Sequence, residues 1–367
     1  MSAPSVAVLL AALHRPASLA DLSKAHWDLL IRQGRRADLL ARIGESARLH
    51  GVWDALPAQP RRHLESAMKL AARQHVELRH EAQAIARALQ PLGEPAVLLK
   101  GAAYTLAGLA AARGRMVSDV DILVPRHRLT EVESALMMAG WVQTNRDAYD
   151  QQYYRKWMHE LPPLRHVKRG SVLDVHHAIL PPTARLKPDS ALLLVDTVAA
   201  GNDERIRVLS QPDMVLHSAA HLFHEGELEM GLRGVVDLDA LLREFGRDAT
   251  FWPALHARAQ VLDLEGPLYQ ALRYTRLLLH TPVPDGMEAE LLLAARRRGA
   301  VMRPGLQDAL FLRALLPDHA TASDRWTRLA RWVLYLRGHW LRMPPALLAW
   351  HLLRKLFKSL QPERTTP

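Results

Sequence analysis

LLKGAAYTLAGLAAARGRMVSDVDILV, residues 98–124, is the stretch whose reading decides the fold. It opens inside a short apolar run, Ala96-Val97-Leu98-Leu99-Lys100, which follows the turn formers Pro91, Gly93 and Pro95; that pattern predicts a buried strand. Gly101 comes at once, and GAAYTLAGLAAA has the composition of a helix. Residues 118–124 then alternate acid and apolar side chains until Pro125, predicting a second strand. Successive strand residues point to opposite faces. Asp119 and Asp121 therefore share one face, while Val120, Ile122 and Val124 turn towards the core. Two parallel carboxylates repel each other unless a cation lies between them, which is the physical reason to expect Mg²⁺ or Mn²⁺.

Working outward, residues 126–140 read as an amphipathic helix closed by Gly140, and WVQTN, from Trp141, starts another strand. LRHVKR and VLDVHHAI, joined by Gly170-Ser171, read as a hairpin with a two-residue turn. Asp174 lies among Val172, Leu173 and Val175, and an acid embedded in a short apolar strand needs a partner. Three such acids on neighbouring strands could hold two metal ions about 4 Å apart, the geometry of in-line phosphoryl transfer. The joint at Lys100-Gly101 adds a point charge, and its glycine lets backbone N–H groups approach a phosphate. Arg115 and Ser118 lie just before the acids. On this reading Lys100, Gly101, Arg115 and Ser118 are the candidate nucleotide-binding residues.

Both flanks are helical. Leu19, Leu22, Leu29 and Leu30 follow Ser18, an expected cap, and a long periodic stretch runs from Arg61 to Leu89. From about Gln211 the helical period returns, with His217 and His221 one turn apart and His224, Arg233 and Asp237 further on. The expected organisation is a helical region at 1–93, a small mixed-sheet core at 94–182, a helical region at 183–320 and basic, Trp-rich helices at 321–367.

The string at 98–124, together with Asp174-Val175-His176 and the later helix carrying His217, His221, Arg233 and Asp237, resembles the uncharacterised nucleotidyltransferase family of the DNA polymerase β-type superfamily. The resemblance covers roughly residues 20–260. It implies an α+β fold: a polymerase β-type palm flanked by helical N- and C-terminal regions. It also implies that Asp119 and Asp121 ligate both metals, that Asp174 ligates the catalytic metal and helps deprotonate an acceptor hydroxyl, and that Gly101 meets the nucleotide phosphates. Many superfamily members follow that glycine with Ser or Gly, whereas this chain has Ala102, so a hydroxyl contact to phosphate is missing and backbone donors remain. The implied reaction is Mg²⁺-dependent transfer of a nucleoside monophosphate from an NTP to an acceptor hydroxyl or phosphate. The acceptor, whether small molecule, protein or RNA, is left open. Two alternatives stand beside it: a catalytically degenerate palm that binds nucleotide or a partner, and an RNA-modifying or toxin-type nucleotidyltransferase.

Other features bound these readings. Net charge is +10, which favours polyanionic partners, although an arginine-rich surface alone gives the same number. There is no cysteine, so disulfides, thiolate metal sites and cysteine nucleophiles are excluded, which fits a cytoplasmic protein. The opening MSAPSVAVLLAALHR lacks the basic start of a signal peptide and reads as a packed helix. No G-x-x-x-x-G-K-[ST] loop is present. His217 and His221 lack the glutamate base of a metalloprotease helix; packing or substrate contact, alongside Arg233, suits them better. His176 shares a face with Asp174 and is a candidate substrate contact. Asp237 is expected to pair with Arg233 one helical turn away. Residues 323–360 interleave Trp326, Trp332, Trp340 and Trp350 with many arginines and are split by Pro344-Pro345; docking on the helical region, peripheral membrane contact and nucleic-acid contact are all open.

Overall fold

The computed structural model describes residues 6–143, 154, 157–224, 226, 228–297 and 302–343. Four helices come first: α1 (Ala7–His14), α2 (Lys24–Arg36), α3 (Leu40–Leu49) and α4 (Ala58–Leu89). The opening helix is packed as expected, with Leu9 and Ala12 buried. The cap of the second is Ser23, whose hydroxyl accepts from the His26 N–H at 3.3 Å; Ser18 instead lies in a 3₁₀ turn begun by Pro16. Proline at the first turn needs no partner for a missing N–H, which moves the helix start beyond the expected position.

The sheet is built from β1 (Ala96–Leu98), β2 (Asp119–Leu123), β3 (Trp141–Gln143), β4 (Leu164–His166), β5 (Val172–His176), β6 (Val198–Ala200) and β7 (Asp203–Val208), with α5 (Lys100–Leu106), α6 (Leu129–Met138) and α7 (Ser190–Val195) between them. Its order is β3-β4-β5-β2-β1-β7-β6. The first two strands pair antiparallel; β2 and β5 pair parallel, as do β1 and β7. This is a mixed sheet within an α+β fold. It extends past the expected boundary at 182, because β6 and β7 form a second edge hairpin that closes on β1. Arg205 and Arg207 alternate with buried Ile206 and Val208 there, and that short period was lost in a stretch read as helical. The β4–β5 turn is also longer than two residues. Gly170 at φ +73° donates its N–H to the His166 carbonyl, and His166 Nδ1 accepts from the N–H groups of Lys168 and Arg169. The strand expected over WVQTN ends at Gln143; its last two residues lie outside the described ones.

Val120, Ile122 and Val124 are buried as the alternation requires, and each contributes on the order of 1.5–3 kcal/mol by leaving water. The fourth helix lies along β1, β2 and β7, burying Leu78, Ala82, Ile85 and Leu89. Beyond the sheet come α8 (Gln211–Phe223), α9 (Gly231–Phe245), α10 (Phe251–Val261), α11 (Glu265–Leu279), α12 (Met287–Arg297), α13 (Pro304–Ala314) and α14 (Thr327–Arg342). The last is docked, burying Ala330, Leu334 and His339, with Arg337 donating to the Phe223 carbonyl at 2.9 Å. Arg325 and Arg328 are exposed, as an arginine-outward docking requires, but Trp326, Trp332 and Trp340 are exposed beside them. Pro344, Trp350 and the basic residues after them lie outside the described residues. Among the described residues no helix is long and apolar enough to cross a membrane.

Candidate active site

The parallel register of β2 and β5 builds the site. Asp121 stands opposite Asp174, and Asp119 is two pairs further along, opposite Val172. Residues opposite each other in a ladder share a face, so all three carboxylates face the same way. They line a cavity of about 320 Å³ whose far wall comes from α8 and α9, including Ser218, His221, Arg233 and Asp237. The sequence-identified Lys100, Gly101, Arg115, Ser118, His176, His221 and Arg233 all line it. His217 does not. It is buried, and burial, aided by Lys100 and His221, pushes its imidazole well below 6.5, so it packs as a neutral ring.

The acids differ in their partners. Asp121 is buried, and its Oδ1 accepts from Lys100 Nζ at 3.2 Å and His176 Nε2 at 3.0 Å. Burial alone would raise its carboxyl; Lys100 and His176 outweigh that and hold it well below the usual carboxylate range. Asp174 has the opposite balance. Its Oδ1 is buried with no hydrogen-bond partner among the described residues, and burial followed by the Asp121 charge pushes its carboxyl up to about 7. Asp119 Oδ1 accepts from the Ser118 hydroxyl at 3.2 Å. This face carries more negative charge than its own lysine and histidine neutralise, and it holds an orphaned carboxylate oxygen. The residues present therefore fit a divalent cation bound by Asp119, Asp121 and Asp174.

Lys100 is placed by the sheet. Leu99 donates its N–H to the Asp121 carbonyl at 2.9 Å, continuing the β1–β2 ladder, and the chain then turns into α5 with Lys100 at φ +47°. A lysine in that left-handed region costs roughly 1 kcal/mol or more. Its ammonium reaches Asp121 only because the turn is held. Gly101 follows for a reason the sequence did not show. A Cβ there would lie 2.0 Å from Arg115 Nη1, so the missing side chain admits the Arg115 guanidinium.

Arg115 itself is anchored. Its Nε donates to Asp237 Oδ2 at 2.7 Å, and Arg42 Nη2 donates to the other oxygen at 2.7 Å. Asp237 thus bridges two buried arginines, and the expected Asp237–Arg233 pair is not formed: Arg233 reaches Asp38 Oδ2 at 3.2 Å. The helical spacing permitted the local pair, but the arginine from the sheet side arrives at closer range. Sequence reasoning missed Arg42, His159 and Glu160. The first has no local signal in its helix, and the other two sit in a short segment, HELPP, with no periodicity to mark it.

The site is thus an acid-faced mixed sheet roofed by α8 and α9 over a polar cavity. Residues 23–280 match the family described as uncharacterised nucleotidyltransferase, and the chain belongs to that family. No curated protein and no solved structure matches the chain.

Proposed function

We propose that this protein is a nucleotidyltransferase with a polymerase β-type palm, moving a nucleoside monophosphate from an NTP to an acceptor hydroxyl or phosphate with release of pyrophosphate. The observation that carries this reading is the facing of Asp121 and Asp174 across two parallel strands, with Asp119 on the same face. Asp119, Asp121 and Asp174 would hold Mg²⁺ or Mn²⁺, which supplies charge neutralisation on the phosphates and activation of the attacking oxygen. Lys100 and His176 orient Asp121 from one oxygen. Arg115, fixed on Asp237, and Arg233, on Asp38, present guanidinium charge to the cavity, where a triphosphate is the complementary ligand. A second cavity, of about 630 Å³, shares Val117, Ser118 and Asp119 with the first and opens between α4 and the β4–β5 turn. The acceptor would enter there, bringing its nucleophile to Asp119.

One observation favours a second reading. The Lys100 ammonium already sits against Asp121, as it would in a palm that binds nucleotide without turning it over. The same assay separates the two. Pyrophosphate release is measured from each of the four NTPs with Mg²⁺ or Mn²⁺, using a cell extract as acceptor pool, beside Asp119→Asn and Asp121→Asn. Transfer predicts release that falls at least about 1,000-fold in either variant, in the range of losing several kcal/mol of transition-state stabilisation. NTP binding without release selects the binding palm, and variants of full activity sink the metal mechanism.

A further inference from the structure

A second ligand cluster lies beside the carboxylates. The segment 159–161 runs antiparallel to the end of β5: Leu161 donates to the Val175 carbonyl at 2.9 Å, His177 to the His159 carbonyl at 2.8 Å, and Glu160 forms a bridge pair with His176. That pairing places the Glu160 and His176 side chains on one face, directly opposite each other. His159 adds a second imidazole, with its ring centroid 5.2 Å from that of His176. One ligand-type atom from each of the three lies within 4.8 Å of the other two, and all three residues line the main cavity. His159 and His176 are buried.

We propose that His159, Glu160 and His176 form a binding site for a borderline-soft divalent cation, Zn²⁺ or Co²⁺, adjoining the Asp119, Asp121 and Asp174 carboxylates and open to the same cavity. The geometry at His176 supports this. Its Nε2 is engaged by Asp121 Oδ1 at 3.0 Å, the carboxylate bond by which metal-bound imidazoles are held in one tautomer. That leaves Nδ1 facing Glu160 Oε2 at 3.5 Å. This separation is long for an ion-paired hydrogen bond, which runs at about 2.7–2.9 Å. It is close to what a tetrahedral ion imposes: two ligands at about 2.0–2.1 Å from the ion stand roughly 3.3 Å apart. Two imidazoles and one carboxylate select Zn²⁺ or Co²⁺ over Mg²⁺, which prefers an all-oxygen shell. Three protein ligands leave a coordination position for an oxygen of a bound phosphate or acceptor, as in open zinc sites. The competing arrangement is a proton: an imidazolium at His176 linking Asp121 and Glu160.

Cobalt spectroscopy on the full chain separates these. Co²⁺ is titrated into metal-free protein, and the visible absorption of a low-coordinate imidazole-bound ion is recorded. The expected result is a stoichiometric band that survives Asp119→Asn and Asp174→Asn and is displaced by Zn²⁺. Glu160→Gln, an isosteric change, should weaken Co²⁺ binding at least about 100-fold, and His159→Ala should abolish the band in protein whose circular dichroism shows it folded. The proposal is overturned if wild type shows no band, or if the band is lost in the two aspartate variants and kept in Glu160→Gln. Because the readout is a spectrum, its failure leaves Mg²⁺-dependent pyrophosphate release untouched, and the reverse holds as well.

Discussion

Asp237 and Asp174 are both acids lining one cavity, and they are treated in opposite ways. Asp237 receives a guanidinium on each oxygen, from Arg115 and Arg42, all three side chains nearly out of water. Asp174 has an oxygen with no hydrogen-bond partner among the described residues, and its carboxyl is pushed up to about 7 by burial and by Asp121. The first acid is completed by the protein and holds the sheet to α9. The second is left unsatisfied among the described residues, and it stands in the strand pair that faces the cavity. The contrast separates a structural acid from one that wants a ligand, although both look alike as single letters.

The comparison can be broken most forcefully at Asp237. Asp237→Asn leaves two buried guanidinium groups short of a countercharge and should cost about 3–5 kcal/mol of unfolding free energy in denaturant titration. A loss within experimental error would mean that the bridge is not structural. Gly101→Ala tests the arginine that this bridge fixes. The added Cβ must displace the Arg115 guanidinium or the start of α5, a cost of about 1–3 kcal/mol, and nucleotide affinity should fall with it. Unchanged stability and affinity would show that Arg115 moves freely.

Asp174 should behave in the opposite sense, with the smallest effect. Its folded carboxyl titrates near 7 against an ordinary 3.8, so between those values the unfolded chain has released a proton that the folded one keeps. Stability is therefore lost as pH rises through that window and is unaffected below it. Asp174→Asn removes the penalty. The metal-free variant should be more stable than wild type by about 1–3 kcal/mol at pH 8 and equal to it near pH 4, by thermal melts in EDTA. A variant less stable at pH 8 would place Asp174 with Asp237 as a structural acid.

Much of this was legible in the residues. The alternation at 118–124 gave the shared face of Asp119 and Asp121, and the apolar setting of Asp174 marked it as needing a partner. What periodicity could not supply was long-range pairing. Nothing local says that Asp174 stands opposite Asp121, that Asp237 would choose Arg115 and Arg42 over its helical neighbour Arg233, or that Glu160 returns to face His176. The strands at 198–208 were missed because their alternation is brief and borders long helices. The cap at Ser23 displaced Ser18 through one proline.

The parallel pairing of β2 with β5 also bears on the order in which the molecule forms. Two parallel strands cannot be joined by a tight turn, and here the chain runs through residues 124–171 before β5 returns beside β2. Closing that excursion carries a larger entropic cost than any hairpin in the sheet and slows contacts that depend on it. The helices and the β4–β5 hairpin can form from near neighbours, while the acidic face exists only once this distant pair has zipped. The acidic face is thus a late, non-local product of folding, absent from any partly folded chain in which β2 and β5 have not paired, however helical that chain is.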